Sequence, residues 1–288
     1  MRRASLIEKE SVQINTVQDL TGVFESIAST QVAKVKNKVQ LSNSFFELLW
    51  SRYKSIRMDP ETQIVNRIDV KEGNKTAYII ISAEAGLSGD IDQRLIETML
   101  QDYDEKTTDI IVLGSHGANM LTQRGIKFVR YFQVPESDKY IDVSPVIDAI
   151  LPYSKVVVYY EDYVSLGVQD IKSIDLMSSM RDMSKDVESE EEIMTAEDTI
   201  FEPSLDYIAD QMEMTMMTLT MSQTILDSSL AQAASRFSAM AVAKKRANEL
   251  LGAYRLEFNH AKRSESDRRM REVLVGLKNK RKRLGAAR

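Results

Sequence analysis

Two glycine turns carry the residues best suited to chemistry. Gly86-Leu87-Ser88-Gly89 and Gly114-Ser115-His116-Gly117 each follow an apolar run and precede an amphipathic one. Backbone amides at such a helix start can hold an anion. Neither turn completes a G-x-G-x-x-G or a phosphate-loop pattern with its lysine, and tight strand-to-helix turning alone also accounts for the glycines. Ser115 and His116 bring a hydroxyl and a base together, yet no third residue is placed in sequence to orient the imidazole as a triad requires. His260 is the only other histidine, and the absence of cysteine removes disulfides, thiolate metal ligands and a thiol nucleophile. The acidic run Asp186–Glu192 lacks the glycine and spacing of a calcium loop and reads as a solvated loop. No catalytic, cofactor-binding or metal-ligating residue is assigned.

Composition narrows the classes. The chain has 288 residues, 43% hydrophobic and 28% charged, with net charge -5. That is enough apolar material for a core, in one or two domains. The longest apolar runs, such as Tyr78–Ile81 and Val156–Tyr160, fall far short of the roughly 20 residues a membrane helix needs. Glu8, Lys9 and Glu10 interrupt any signal-type core near the start. Lys278–Arg288 holds six basic residues and no acid. This end suits either a solvated helix terminus, favoured by the helix dipole, or an anionic partner surface.

All five prolines lie between Pro60 and Pro203, which leaves both ends of the chain free to form long helices. From Ser204 onward a row recurs at alternating steps of three and four: Met212, Met216, Leu219, Gln223, Leu226, Leu230, Ala233, Phe237, Met240, Lys244, Ala247, Leu251, Tyr254, Phe258, Ala261. A seam sustained over so many heptads predicts coiled coil. A helix over 204–288 would span about 125 Å, more than a compact domain of this mass. Met214, Met217 and Met221 flank the seam and suit either its core or an adaptable partner surface. The first sixty residues carry a shorter stripe, Val17, Leu20, Phe24, Ile27, Val32, Val35 and Val39, followed by an apolar knot at Phe45–Trp50. The two ends are expected to pair antiparallel, with the middle inserted between them.

That middle alternates strand and helix. Ala77–Ser82, Asp109–Gly114, Lys155–Tyr163 and Asp170–Leu176 read as strands, and Lys127–Val134 alternates. Ile91–Tyr103, Ala118–Gln123 and Val143–Leu151 read as helices, and Met177–Thr199 as a loop or linker. The alternation predicts a parallel α/β sheet. The division expected is an N-terminal helix over 1–58, an α/β domain over 65–200 and a C-terminal helix over 204–288.

Several of these residues resemble the gamma subunit of the F-type ATP synthase. Leu20-Thr21 followed by Ile27-Ala28-Ser29-Thr30 is similar to that family's opening helix, with Asn15-Thr16 displaced by one residue. Ala83–Asp92 is similar to its S-D-R-G-L-C-G-G-L-N turn, retaining Gly86, Leu87 and Gly89, with Asp92 at the asparagine position. Gly114–Gly117 resembles its later G-x-x-G turn. In the last helix Arg236–Met240 stands for R-M-x-A-M, Phe258–Arg263 for Y-N-K-A-R-Q and Glu272–Leu277 for E-I-V-G-G-A, at the family's mutual spacing. The departures are Gln232 at an acid position, Lys262-Arg263 at an Arg-Gln pair, and Ser266–Arg269 at an Ile-Thr-x-Glu.

The resemblance implies a Rossmann-like α/β domain inserted between long terminal helices that form an antiparallel coiled coil. It implies a central rotor stalk of a proton-translocating ATP synthase, peripheral at the cytoplasmic face of the plasma membrane. Alpha and beta subunits, an epsilon subunit and a membrane c-ring would be its partners. ATP, ADP and magnesium would be bound by those partners, and this chain would need no cofactor of its own. Contacts with the catalytic ring would fall at Thr21, Glu25, Arg236, Asn259, Lys262 and Arg263. Three alternatives stay open: a stalk of a rotary ATPase driving another process, a small-molecule enzyme using the glycine turns, and a nucleic-acid binder using Lys278–Arg288, which the net acidity opposes.

Overall fold

The computed structural model describes residues 3–57, 75–134, 142–176 and 205–285. Along the chain run α1 (Ala4–Arg57), β1 (Thr76–Ile81), α2 (Ile91–Asp102), β2 (Thr108–Leu113), α3 (Ser115–Gln123), β3 (Arg130–Phe132), α4 (Ser144–Ile150), β4 (Lys155–Ser165), β5 (Val168–Asp175) and α5 (Leu205–Gly285). The acidic run Asp186–Glu192, the rest of 177–199, and Pro60, Pro135 and Pro203 lie outside the described residues. Two compact units form, Ile27–Ala239 and a second that joins Met1–Ser26 to Met240–Arg288, so the division falls inside both long helices rather than at their ends.

The larger unit is built on a five-stranded sheet of order β3-β2-β1-β4-β5. Alternation along β1 explains its layers. Ala77, Ile79 and Ile81 point into a core with Trp50, Ile147, Ile150, Met217, Met221 and Ile225. Ile80 points the other way, toward Leu95, Ile96 and Met99 of α2 and Leu121 of α3. Both faces of β1 are covered, which is why it reads as an unbroken apolar run. Strands β1 to β4 pair in parallel, but β5 runs antiparallel to β4. This departs from the all-parallel expectation, because only Leu166 and Gly167 join the two strands and a parallel crossover needs a dozen or more residues. In the same unit Val32 and Val35 of α1 pack on Leu230, Ala233 and Ala234 of α5, with Val39 beside them.

In the smaller unit the start of α1 runs along α5 in the opposite direction. Ala4 and Ile7 pack with Tyr254, Phe258 and Ala261, and the Ala4 N–H donates to Glu265 Oε1 at 3.2 Å. Farther along α1, Glu25 accepts from Lys244 Nζ at 2.8 Å. The α5 row from Met240 to Ala261 is buried or half-buried at each predicted seam position. On α1 the paired row is Ala4, Ile7, Ser11, Ile14, Gln18, Thr21 and Glu25, whereas Val17, Leu20 and Phe24 of the predicted stripe are exposed. The two rows differ by one residue, about 100° around the helix. Ile27, on the stripe but in the larger unit, is likewise exposed while its neighbour Ala28 is fully buried. Hydropathy favoured the wrong row because the paired one contains Ser11, Gln18, Thr21 and Glu25, polar side chains half-buried or buried between helices.

Candidate functional site

The glycine turns meet at the C-terminal ends of β1 and β2, where open α/β sheets place their ligands. Here the ends are filled by the chain itself. Gly114 has φ +100, and a Cβ there would stand 2.1 Å from the Ser82 carbonyl oxygen. A Cβ on Gly117 would lie 2.4 Å from Ser82 Oγ. Both glycines therefore admit the end of β1 against the start of α3. Ser82 Oγ accepts from the Gly117 N–H at 3.0 Å and lies within donating reach of the Leu113 and Gly114 carbonyls. The amide that would face an anion at the start of α3, Ser115 N–H, donates instead to Glu84 Oε2 at 3.2 Å. The other oxygen of Glu84 accepts from the Val134 N–H at 2.6 Å. A phosphate would have to displace this carboxylate.

Ser115 and His116 do not act together. The Ser115 hydroxyl donates to the Glu84 carbonyl at 2.7 Å. His116 Nδ1 lies 2.9 Å from Asp92 Oδ2, so an orienting carboxylate exists that the sequence did not disclose. Asp92 is buried in the first turn of α2, where its Oδ1 accepts from the Ala83 N–H at 2.9 Å and its Oδ2 also accepts from Ser88 Oγ at 2.9 Å. Each serine of this cluster, Ser82, Ser88, Ser115, Ser228 and Ser235, has a backbone carbonyl or a carboxylate within donating reach. Among the described residues no group of three or more histidines, aspartates and glutamates could hold a metal ion.

A row of α5 side chains closes the cluster from the other side. Ser228 Oγ lies 3.2 Å from the Ile81 carbonyl and 3.4 Å from Glu161 Oε2. Ser235 Oγ donates to the Ser88 carbonyl at 2.6 Å, and Ser238 Oγ to the Leu166 carbonyl at 2.7 Å. The Arg236 guanidinium donates to the carbonyls of Ala85 at 3.0 Å and Gly86 at 3.4 Å. Glu161 of β4 is wholly buried here. Burial, then the neighbouring charge of Asp92, pushes its carboxyl well above the ordinary range, against smaller opposing effects from Gln232 and Ser228. This arrangement fastens α5 to the sheet, and among the described residues each serine hydroxyl of the cluster already has an acceptor.

The six residues expected to meet partners divide in two. Thr21 is buried and its hydroxyl back-bonds to the Gln18 carbonyl at 2.8 Å. Glu25 is paired to Lys244, and Arg236 is held by the turn after β1. These three meet groups of this same chain. Asn259, Lys262 and Arg263 are exposed on α5, with Lys262 Nζ 5.8 Å from the centre of the Phe258 ring. Sequence reasoning missed Glu84, Asp92 and Glu161 as a set. The available signal was an acid at alternate spacing in the apolar run Lys155–Tyr163, where Glu161 shares parity with Tyr159.

No helix among the described residues is long and apolar enough to cross a membrane. A sequence model of a family described as ATP synthase matches residues 5–278. The ATP synthase gamma chain of Clostridium novyi (strain NT) is 22% identical over 279 residues, covering 94% of this chain and 95% of that one. That of Malacoplasma penetrans (strain HF-2) is 22% identical over 282 residues, covering 94% and 97%. In fold the chain is similar to one from the Euglena gracilis mitochondrial ATP synthase (OSCP/F1/c-ring, rotational state 3), with TM-score 0.56 at 12% identity, over 89% of this chain and 94% of that chain. Matched over nearly all its length, with gamma chains as its relatives, the chain belongs to the ATP synthase family as a gamma-type member.

Proposed function

We propose that the chain is the central rotor stalk of a proton-translocating F-type ATP synthase and has no active site of its own. The observation that carries this reading is the end of α5. Beyond Glu265 the described side chains of α5, residues 266–278, are exposed, and Met270, Val273, Leu274 and Leu277 form an apolar row among them. Such an exposed apolar row calls for a partner surface to cover it. An apolar sleeve at the centre of an alpha/beta hexamer is that partner. A shaft of two helices has no rotational symmetry, so each orientation presses different side chains on the surrounding subunits. Their nucleotide affinities then differ through differential contact, as coupling requires.

The self-filled glycine turns support leaving ATP, ADP and magnesium to the alpha and beta subunits. Asn259, Lys262 and Arg263 are the exposed groups offered to an acidic segment of that ring, where a cation makes charge-assisted hydrogen bonds. Glu25 and Arg236 make hydrogen bonds within the chain, to Lys244 and to the turn after β1, and Thr21 back-bonds to Gln18 of its own helix. An epsilon subunit and the c-ring complete the rotor, which sits peripherally at the cytoplasmic face of the plasma membrane.

The test is a reversible lock. Lys262→Cys supplies a unique thiol, since the chain has no cysteine, and a second cysteine goes on the facing loop of a beta subunit. Coupled ATP synthesis should fall on oxidation and recover on reduction. Full synthesis in a completely crosslinked complex would overturn the rotor reading.

A further inference from the structure

Glu161 of β4 and Asp92 of α2 are both buried where α5 is fastened to the sheet, close enough for the charge of Asp92 to act on Glu161. Asp92, 1% exposed, has both oxygens occupied by the Ala83 N–H, Ser88 Oγ and His116 Nδ1. Glu161, 0% exposed, has one oxygen near Ser228 Oγ, and its Oε1 has no donor among the described residues. Two carboxylates cannot hydrogen-bond to each other, whereas a carboxyl and a carboxylate can, through one proton. Leaving both ionised would set like charges together in a dry site.

The charged groups facing Glu161 are few. From α2 comes Asp92; from α5 comes Arg236, whose guanidinium is half-buried and committed to two carbonyls. His116 of α3 touches Asp92 from the side that reaches solvent, its side chain 34% exposed. Gln232 of α5 hydrogen-bonds to Ser228 Oγ at 3.1 Å and brings an uncharged amide to the same pocket.

We infer that Glu161 is protonated in the folded chain and donates that proton to Asp92, so that a single proton closes the joint between α5 and the ends of β1 and β4. Loss of the proton sets two anions against each other beneath Ser228 and Gln232, and the clamp formed by Ser228, Ser235 and Arg236 loosens. The sign follows from the raised carboxyl. Stability from this site is complete below the ordinary glutamate range near 4.5, and it is lost as pH rises toward the folded-state value. The joint is therefore tight in acid and slack in alkali, opposite to a conventional salt bridge of a carboxylate.

The full-length chain, labelled with carboxyl-carbon-13 glutamate, tests this by NMR titration across about pH 4 to 9, with the Glu161 signal assigned by its loss in Glu161→Gln. The Glu161 carbon should titrate far above the other glutamates. Hydrogen exchange, corrected for intrinsic rate, should show opening of the 228–236 backbone rising by up to about tenfold per pH unit over the same range, the limit for release of one proton. Glu161→Gln should abolish that rise. If Glu161→Gln does not fold, Asp92→Asn replaces the like charge with an amide donor and should lower the Glu161 titration by roughly a unit or more. An ordinary titration for Glu161, opening that rises equally in wild type and Glu161→Gln, or a titration unmoved by Asp92→Asn would overturn the inference.

Discussion

Replacing Gly114 by alanine asks what the second glycine turn is for. The added Cβ would stand 2.1 Å from the Ser82 carbonyl oxygen and 2.7 Å from its carbon, backbone atoms just past β1 in a residue whose N–H donates to the Leu113 carbonyl at 2.8 Å. The residue also sits at φ +100, ψ 131, where a side chain costs about 1–3 kcal/mol. Displacing packed atoms adds about 1–3 kcal/mol. Together the loss is about 2–6 kcal/mol, a large part of the 5–15 kcal/mol typical of a folded domain. Trp50, the only tryptophan, is packed in the sheet core, so its fluorescence follows unfolding of this unit. The urea midpoint read from it should fall by about 1–2 M. Gly125→Ala is the control: its φ is +72, but nothing lies within 4 Å of the new Cβ. That variant should lose only about 1–2 kcal/mol, from the left-handed backbone alone. If Gly114→Ala loses no more than Gly125→Ala, close packing of β1 on α3 is not the reason for the glycine, and an open phosphate cradle becomes the better account.

Gly252 lies inside α5 with open space around its missing Cβ, so Gly252→Ala should stabilise the helix by about 1 kcal/mol, read as a higher thermal midpoint. Glu25→Gln removes a half-exposed pair with Lys244; it should cost about 0.2–1 kcal/mol in dilute buffer and less in 1 M salt, measured by urea melts at both strengths. Asp227 of α5 has its carboxyl pushed up to about 6, first by burial and then by Asp162, against the pull of Lys172. Its favourable contribution is present below about pH 4 and lost by about pH 6, so Asp227→Asn should gain about 1–2 kcal/mol relative to wild type across that interval, a figure reduced for partial exposure.

The strands were legible because β1, β2 and β4 are covered on both faces and so appear as unbroken apolar runs. The α5 seam was legible for a related reason: a long row of Met, Leu, Ala and aromatic residues leaves only Gln223 and Lys244 as exceptions, and the structure buries or half-buries every position of it. On α1 the same reasoning slipped by one residue, since the paired row carries Ser11, Gln18, Thr21 and Glu25 and hydropathy favours its more apolar neighbour. The direction of β5 depends on a turn of two residues, too short a feature for strand-helix alternation to register. The glycine turns are plain in the sequence, yet their purpose depends on Ser82 and Glu84, whose roles are set by what the fold brings within hydrogen-bond reach. Asp92 and Glu161 were hidden for the same reason. A lone acid in an amphipathic helix or near a strand end ordinarily faces water, and only the sheet order brings these two together.

Glu84 has a consequence for how this domain behaves when nucleotide levels change. A free anion occupies the start of a helix in proportion to its concentration and stabilises the fold accordingly. A carboxylate tethered a short way along the same chain acts at an effective concentration that never varies. The turn bridged by Glu84 to Ser115 and Val134 is thus as rigid in a cell starved of ATP as in one replete with it. For a part that transmits force to sites where nucleotide comes and goes, that constancy means its compliance carries no signal from the fuel. Any change in how the stalk yields must come through its partners or through pH.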